Sequence, residues 1–175
     1  MMFLQYAIWG AWSPVLSDYL LNDLGFSGTQ VGIIYSLLPL ATIVAPFIGG
    51  QIADRYFPSQ NVIAVLQLVG GGLLLFMSQV SDYHTMMWLM LIYCFLYAPT
   101  LALTNSVAFI NLKNSEKEFG IVRVWGTIGW IVAGLVLTGW RQFFQAEAAP
   151  AFRADTLLLA GIFSIIMGLM AFSLP

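Results

Sequence analysis

Six stretches of about 20 residues, each apolar and nearly free of charge, constrain this chain more than anything else in it. They run roughly from Met2 to Leu21, Thr29 to Ala53, Asn61 to Val80, Thr85 to Ile110, Phe119 to Trp140 and Thr156 to Leu174. A helix of about 20 apolar residues crosses the hydrocarbon core of a bilayer. In lipid every backbone N–H and C=O must find a partner inside the protein, and a helix provides that within one segment. Polar residues collect between the runs: Asn22-Asp23, Asp54-Arg55, Asp82 with His84, Lys113 to Glu118, and Arg141 to Asp155. The pattern predicts an all-α membrane protein with six transmembrane helices.

Composition excludes most other classes. Of 175 residues, 60% are hydrophobic and 8% charged, against about 25% charged in soluble domains. A net charge of -2 gives no reason to expect a nucleic-acid partner. Cys94 is alone in an apolar run, so neither a disulfide framework nor a metal site is expected. The first run is too long, and lacks the basic residues, for a cleavable signal peptide. No nucleophile–base pair, paired carboxylates or metal-ligand cluster is present, so the chain is not expected to be an enzyme.

Basic residues set the expected orientation. With the N-terminus cytoplasmic, the inner connections carry Arg55, Lys113 and Lys117, with Arg123 close by. The outer ones then carry Arg141 and Arg153 beside Asp23, Asp82, Glu147 and Asp155.

Arg123 is the exception to the separation of charge from lipid. It heads the fifth run, where a guanidinium is costly unless a solute, a partner or water compensates it. Arg123, Thr127 and Trp130 lie at i, i+4, i+7 and share one helix face. A forked donor, a hydroxyl and an aromatic plane suit a flat polar molecule such as a nucleoside or a sugar. Ser115-Glu116-Lys117-Glu118 has the form of a capping box. A helix starting there puts Arg123 about 11 Å from the first turn, within reach of a central cavity. A start at Phe119 instead lets Arg123 snorkel to the cytoplasmic interface, and the residues alone leave both readings open.

Other polar positions carry weaker signals. Gln5, Trp9 and Trp12 repeat at i, i+4, i+7, as a second polar–aromatic face or as an interfacial belt. Asn105, near Thr100 and Thr104, lies deep enough to need hydrogen-bond partners and is a candidate cavity residue. Pro14, Pro39, Pro46 and Pro99 lie inside runs and permit bends. Gly70-Gly71-Gly72, and Gly126 with Gly129, suggest close helix contacts.

Gly50-Gln51-Ile52-Ala53-Asp54-Arg55 resembles the loop motif between the second and third spans of the major facilitator superfamily. Tyr56-Phe57-Pro58 departs from that motif's usual ending. The resemblance implies a conformational latch at Gly50, Asp54 and Arg55. A carboxylate at the C-terminal end of its own helix opposes the helix dipole, so Asp54 calls for a partner. Three further stretches are similar to the bacterial nucleoside:H+ symporters of that superfamily. These are Phe3 to Trp12 for the first span, Pro99 to Asn105 for the fourth and Arg123 to Gly129 for the fifth.

This resemblance implies the six-helix half of a major facilitator superfamily transporter, made of two inverted three-helix repeats. Residues 1–175 would form one N-terminal transporter domain, its C-terminal six-helix half lying outside the chain. It also implies nucleoside transport by alternating access in the bacterial inner membrane, with the proton as coupling ion and no other cofactor. The arginine and threonine of the fifth span line the family's substrate site, carried here to Arg123 and Thr127. Trp130 stands where the family usually has Phe, and Gln5 and Asn105 complete the expected substrate set. The expected partners are a nucleoside, the lipid bilayer and the C-terminal half. No carboxylate occurs from Val62 to Val80 or from Thr85 to Ile110, and Asp18 lies towards the outer end of its run. The coupling acid is therefore expected in the other half. A facilitator for sugars or other polar solutes, and a non-transporting receptor or assembly subunit, are the alternatives.

Overall fold

In the computed structural model every regular element among the described residues is a helix. The described residues are 1–55, 58–144 and 154–174, without the side chains of 45–55, 115, 116 and 144. The helices are α1 (Met2–Trp12), α2 (Leu16–Asp18), a π-helical turn (Tyr19–Asp23), α3 (Gly28–Arg55), α4 (Ser59–Met77), α5 (Tyr83–Asn111), α6 (Ser115–Phe144) and α7 (Asp155–Ala171). Among the described residues, Ser59–Met77, Tyr83–Asn111 and Lys117–Phe143 are long and apolar enough to cross a membrane. Gly28–Val44 and Asp155–Ala171 are shorter apolar helices.

The first apolar run is not one helix. Pro14 has no backbone N–H to offer the turn before it, and the chain breaks between α1 and α2. The Tyr35 hydroxyl repairs the break from α3. It donates to the Ser13 carbonyl at 2.7 Å and accepts from the Ser17 N–H at 2.9 Å. The π-helical turn ends at Gly25, whose φ of +69° lies in the left-handed region that glycine enters without strain.

Side chains set the helix starts. Ser27 and Gln30 form a reciprocal capping box before α3, the Ser27 N–H donating to Gln30 Oε1 and the Gln30 N–H to Ser27 Oγ. Asp82 caps α5, accepting from the Thr85 N–H and hydroxyl. The Thr85 N–H first, and its hydroxyl second, hold the pKa of this exposed carboxylate below the usual value. At α6 the helix begins at Ser115 itself, and Glu118 reaches back to the Asn114 N–H.

The strongest packing runs in the order α3–α5–α4–α7–α1–α6, an open arc whose ends are α3 and α6. Counting α1, α2 and the π-helical turn as one segment, exchanging the first three segments with the last three leaves this neighbour list unchanged. α1·α6 maps onto α5·α3, and α4·α5 onto α7·α1. That is the contact symmetry of two inverted three-helix repeats.

Small residues make the crossings close. A Cβ on Gly71 would meet the Gly161 carbonyl at 3.0 Å, and one on Gly168 the Ala64 carbonyl at 3.0 Å. Contacts between α4 and α7 are thus nearly backbone on backbone. Helices α1 and α6 meet in the same way at Gly10 and Gly129, while Gly126 faces the Tyr6 ring. A Cβ on Gly129 would strike the Phe3 carbonyl. The ends of the arc are less covered, leaving Ile33, Leu40 and Ile43 of α3 and Ile121, Val124, Trp125, Ile131 and Leu135 of α6 exposed.

Candidate solute-binding site

Arg123 lies at the exposed surface of α6, beside α1. Its guanidinium carbon stands 4.7 Å from the centre of the Tyr6 ring, within the range of a cation–π contact. Nη1 donates to Asn105 Oδ1 of α5 at 3.4 Å, a long bond at the outer edge of useful geometry. Among the described residues no carboxylate lies within ion-pair distance of it; the ion pair they do contain joins Arg141 to Asp155. Among the described residues the cation is therefore held by a ring face and an amide oxygen, with no opposite charge beside it.

Glycine makes this arrangement possible. A Cβ on Gly126 would lie 2.6 Å from Tyr6 Cδ2, so the ring occupies the space an alanine would fill. One turn on, Gly10 lets the Trp130 backbone approach α1, and the Trp9 and Trp130 rings meet edge to face at 5.0 Å. Tyr6 and Trp9 follow at 6.3 Å. Arg123, Tyr6, Trp9 and Trp130 thus form one strip along the α1–α6 junction, with the cation at one end.

Thr127 is exposed and, among the described residues, its hydroxyl has no hydrogen bond. Four other threonines of the apolar helices back-bond to their own helix, Thr42 to Pro39, Thr100 to Tyr97, Thr104 to Thr100 and Thr138 to Gly134, and Thr156 donates across to the Ala11 carbonyl. Such back-bonding is the ordinary fate of a threonine in an apolar helix. Among the described residues Thr127 leaves both its donor and its acceptor unengaged.

Gln5 lies elsewhere. It is fully buried inside the half-bundle, as is Trp12, whereas Trp9 is half-buried and belongs to the strip at the α1–α6 junction. Its Nε2 donates to Thr100 Oγ1 at 2.8 Å, and its Oε1 accepts from Gln67 Nε2 at 2.9 Å. Asn105, by contrast, is half-buried at the edge of the site and holds Arg123. Of the five residues expected to meet solute, the structure brings Arg123, Thr127, Trp130 and Asn105 to one region and Gln5 to the core behind it. Gly50, Asp54 and Arg55 close α3, but their side chains lie outside the described residues.

Sequence reasoning passed over Tyr6. The signal available was its i, i+3 spacing to Trp9, obscured because neighbouring Gln5 drew the face one residue round. Among the described residues no group of three or more His, Cys, Asp or Glu side chains could hold a metal ion.

Comparison with known proteins agrees with this architecture. The family model described as "Nucleoside H+ symporter" matches residues 1–175, and the chain belongs to that family. YegT of Escherichia coli (strain K12), provisionally a nucleoside transporter, is 40% identical over all of this chain and 41% of its own length. Xanthosine permease of the same organism is 39% identical over 76% of the chain and 33% of its own. The crystal structure of nucleoside transporter NupG (D323A mutant) superposes with a TM-score of 0.89 at 30% identity, covering 99% of this chain and 42% of that one. The fold is thus the six-helix half of the major facilitator superfamily architecture. The chain spans about two-fifths of the length of these relatives or less.

Proposed function

We propose that residues 1–175 are the N-terminal half of a nucleoside permease of the bacterial inner membrane, working by alternating access with proton coupling. The observation that carries this is Arg123, a guanidinium in an apolar helix, presented on an aromatic face with no carboxylate among the described residues to neutralise it. Its fork matches paired acceptors on a base or the hydroxyls of a ribose. Thr127 adds a free hydroxyl, and the half-buried Trp130 adds an aromatic surface for stacking. Family membership and the more similar relatives, a xanthosine permease and nucleoside transporters, support a nucleoside over a sugar.

The second six-helix half packs, in this reading, against the uncovered sides of α3 and α6. A mobile interface along the two arc ends gives alternating access, since each half keeps its own core. The N-terminus is cytoplasmic, with Arg55, Lys113 and Lys117 on the same side. Asp18 is exposed and accepts from Asn22 at 2.6 Å, which leaves the coupling acid to the other half. The latch at Gly50, Asp54 and Arg55 then works at the cytoplasmic edge between halves.

Uptake of labelled uridine and adenosine by vesicles carrying the full-length protein tests the reading, with unlabelled maltose as competitor. Arg123→Ala should reduce uptake at least tenfold while membrane abundance is unchanged, and maltose should not compete. Parent-level uptake by Arg123→Ala would remove Arg123 from the site. Uptake of maltose in place of nucleosides would transfer the site to sugars. Proton coupling that is lost in Asp18→Asn alone would place the acid in this half.

A further inference from the structure

A second polar cluster, behind the site and wholly buried, joins four helices. Gln67 of α4 donates to Gln5 Oε1 of α1 at 2.9 Å and to Thr100 Oγ1 of α5 at 3.1 Å. Its own Oε1 accepts from Ser164 of α7 at 2.6 Å. The Ser164 hydroxyl is also 2.8 Å from the Gln67 carbonyl. Gln5 reaches Thr100 at 2.8 Å, and the Tyr97 hydroxyl donates to the Gln5 backbone carbonyl at 2.6 Å. Gln5, Thr100 and Ser164 have no exposed surface, and Gln67 has 2%. Both amide hydrogens and the amide oxygen of Gln67 are used. A buried network in which every side-chain polar atom has a partner favours one arrangement of its helices.

Two members are chain neighbours of the groups that hold Arg123. Gln5 precedes Tyr6 on α1, and Thr104, which lies 3.4 Å from Gln5 Oε1, precedes Asn105 on α5. Successive residues on a helix point about 100° apart. Turning Gln5 and Thr104 inward therefore directs Tyr6 and Asn105 towards α6. We propose that Gln67, oriented by Ser164, is a positioning residue for the solute site. It fixes α1 against α5 so that Tyr6 and Asn105 converge on the Arg123 guanidinium. Gln67 touches no part of the site itself. The Asn105 bond is already at 3.4 Å, so a shift of about half an ångström between α1 and α5 breaks it.

The inference rests on the nucleoside-permease reading, and the experiment separates the two. Uridine uptake kinetics are measured on the full-length protein, with membrane abundance and thermal stability recorded for each variant. Gln67→Leu strands the Gln5 amide oxygen and should raise KM about five- to tenfold with Vmax per molecule within twofold of the parent. Ser164→Ala, a milder change that folds if Gln67→Leu does not, should raise KM about two- to threefold. Tyr6→Leu should also raise KM, and Gln67→Leu with Tyr6→Leu should be no worse than the worse single variant. Met77→Ala, a fully buried apolar truncation at the far end of α4, should lower stability and leave KM unchanged. Parent KM in Ser164→Ala, or multiplicative effects in the double variant, would overturn the positioning role while leaving the permease intact. A parent that takes up no nucleoside overturns the functional reading, and this inference with it.

Discussion

Replacing Gly10 with alanine tests the α1–α6 junction most directly, because the structure leaves the added methyl nowhere to go. A Cβ at position 10 would sit 2.8 Å from both the Cα and the carbonyl oxygen of Trp130. Ordinary contact begins near 3.4 Å, so the helices must part by about 0.6 Å. The opposing atoms are backbone, and no rotamer change relieves them. Overpacking of this kind costs about 1–3 kcal/mol, a fall of about fivefold to more than a hundredfold in the ratio of folded to unfolded protein. Parting the helices also withdraws Tyr6 from Arg123 and Trp9 from Trp130, so the solute site loosens in the same step. Gly134→Ala is the matched control, on α6 with nothing within 4 Å of its Cβ. Thermal unfolding of the purified full-length protein should show Gly10→Ala melting at least about 2 °C below the parent. Gly134→Ala should melt no lower than the parent, since alanine favours the helix. Nucleoside KM should rise in Gly10→Ala alone. Equal melting temperatures and equal KM for the two variants would refute the backbone-contact argument.

Two further outcomes follow from other contacts. Arg141 Nε and Nη2 each reach Asp155 at 2.8 Å, and the Asp155 side chain is only 2% exposed. Arg141→Ala should therefore destabilise by about 3 kcal/mol, and Arg141→Met with Asp155→Leu by clearly less, as chemical or thermal unfolding will show. Asp82 has a pKa depressed by its cap on Thr85, so its contribution is complete above the unfolded value of 3.8 and lost as pH falls through the folded one. The melting-temperature gap between the parent and Asp82→Ala should be widest at neutral pH and close in acid; a gap that is constant with pH would refute the cap.

Much of the local structure is written in short-range pattern. Ser115 to Glu118 shows a helix start in the sequence, whereas the Ser27–Gln30 capping box comes from the structure, and Pro14, expected to permit a bend, interrupts the first run altogether. The Ser115 motif signals an early start for α6, although the helix takes Ser115 as its first residue and uses Glu118 to satisfy Asn114. What such patterns cannot supply is the partner. Tyr35 closing the break at Pro14 joins residues 22 apart in the chain, and nothing in either segment names the other. Gln5 illustrates the same limit: its spacing to Trp9 and Trp12 reads as a face towards solute, and its true neighbours are Gln67 and Thr100.

From the sequence alone came the class of the molecule, its helices and Arg123, because hydropathy, capping and the cost of charge in lipid act over a few turns of one chain. The tertiary structure decided which polar groups look inward and which are left open. Gln5 is spent on a buried network, Thr127 keeps its hydroxyl, and Tyr6 enters the site because Gly126 and Gly10 let two helices come together. Those outcomes depend on the approach of segments far apart in the chain, 62 residues for Gln5 and Gln67 and 95 for Gln5 and Thr100, a quantity no single helix encodes.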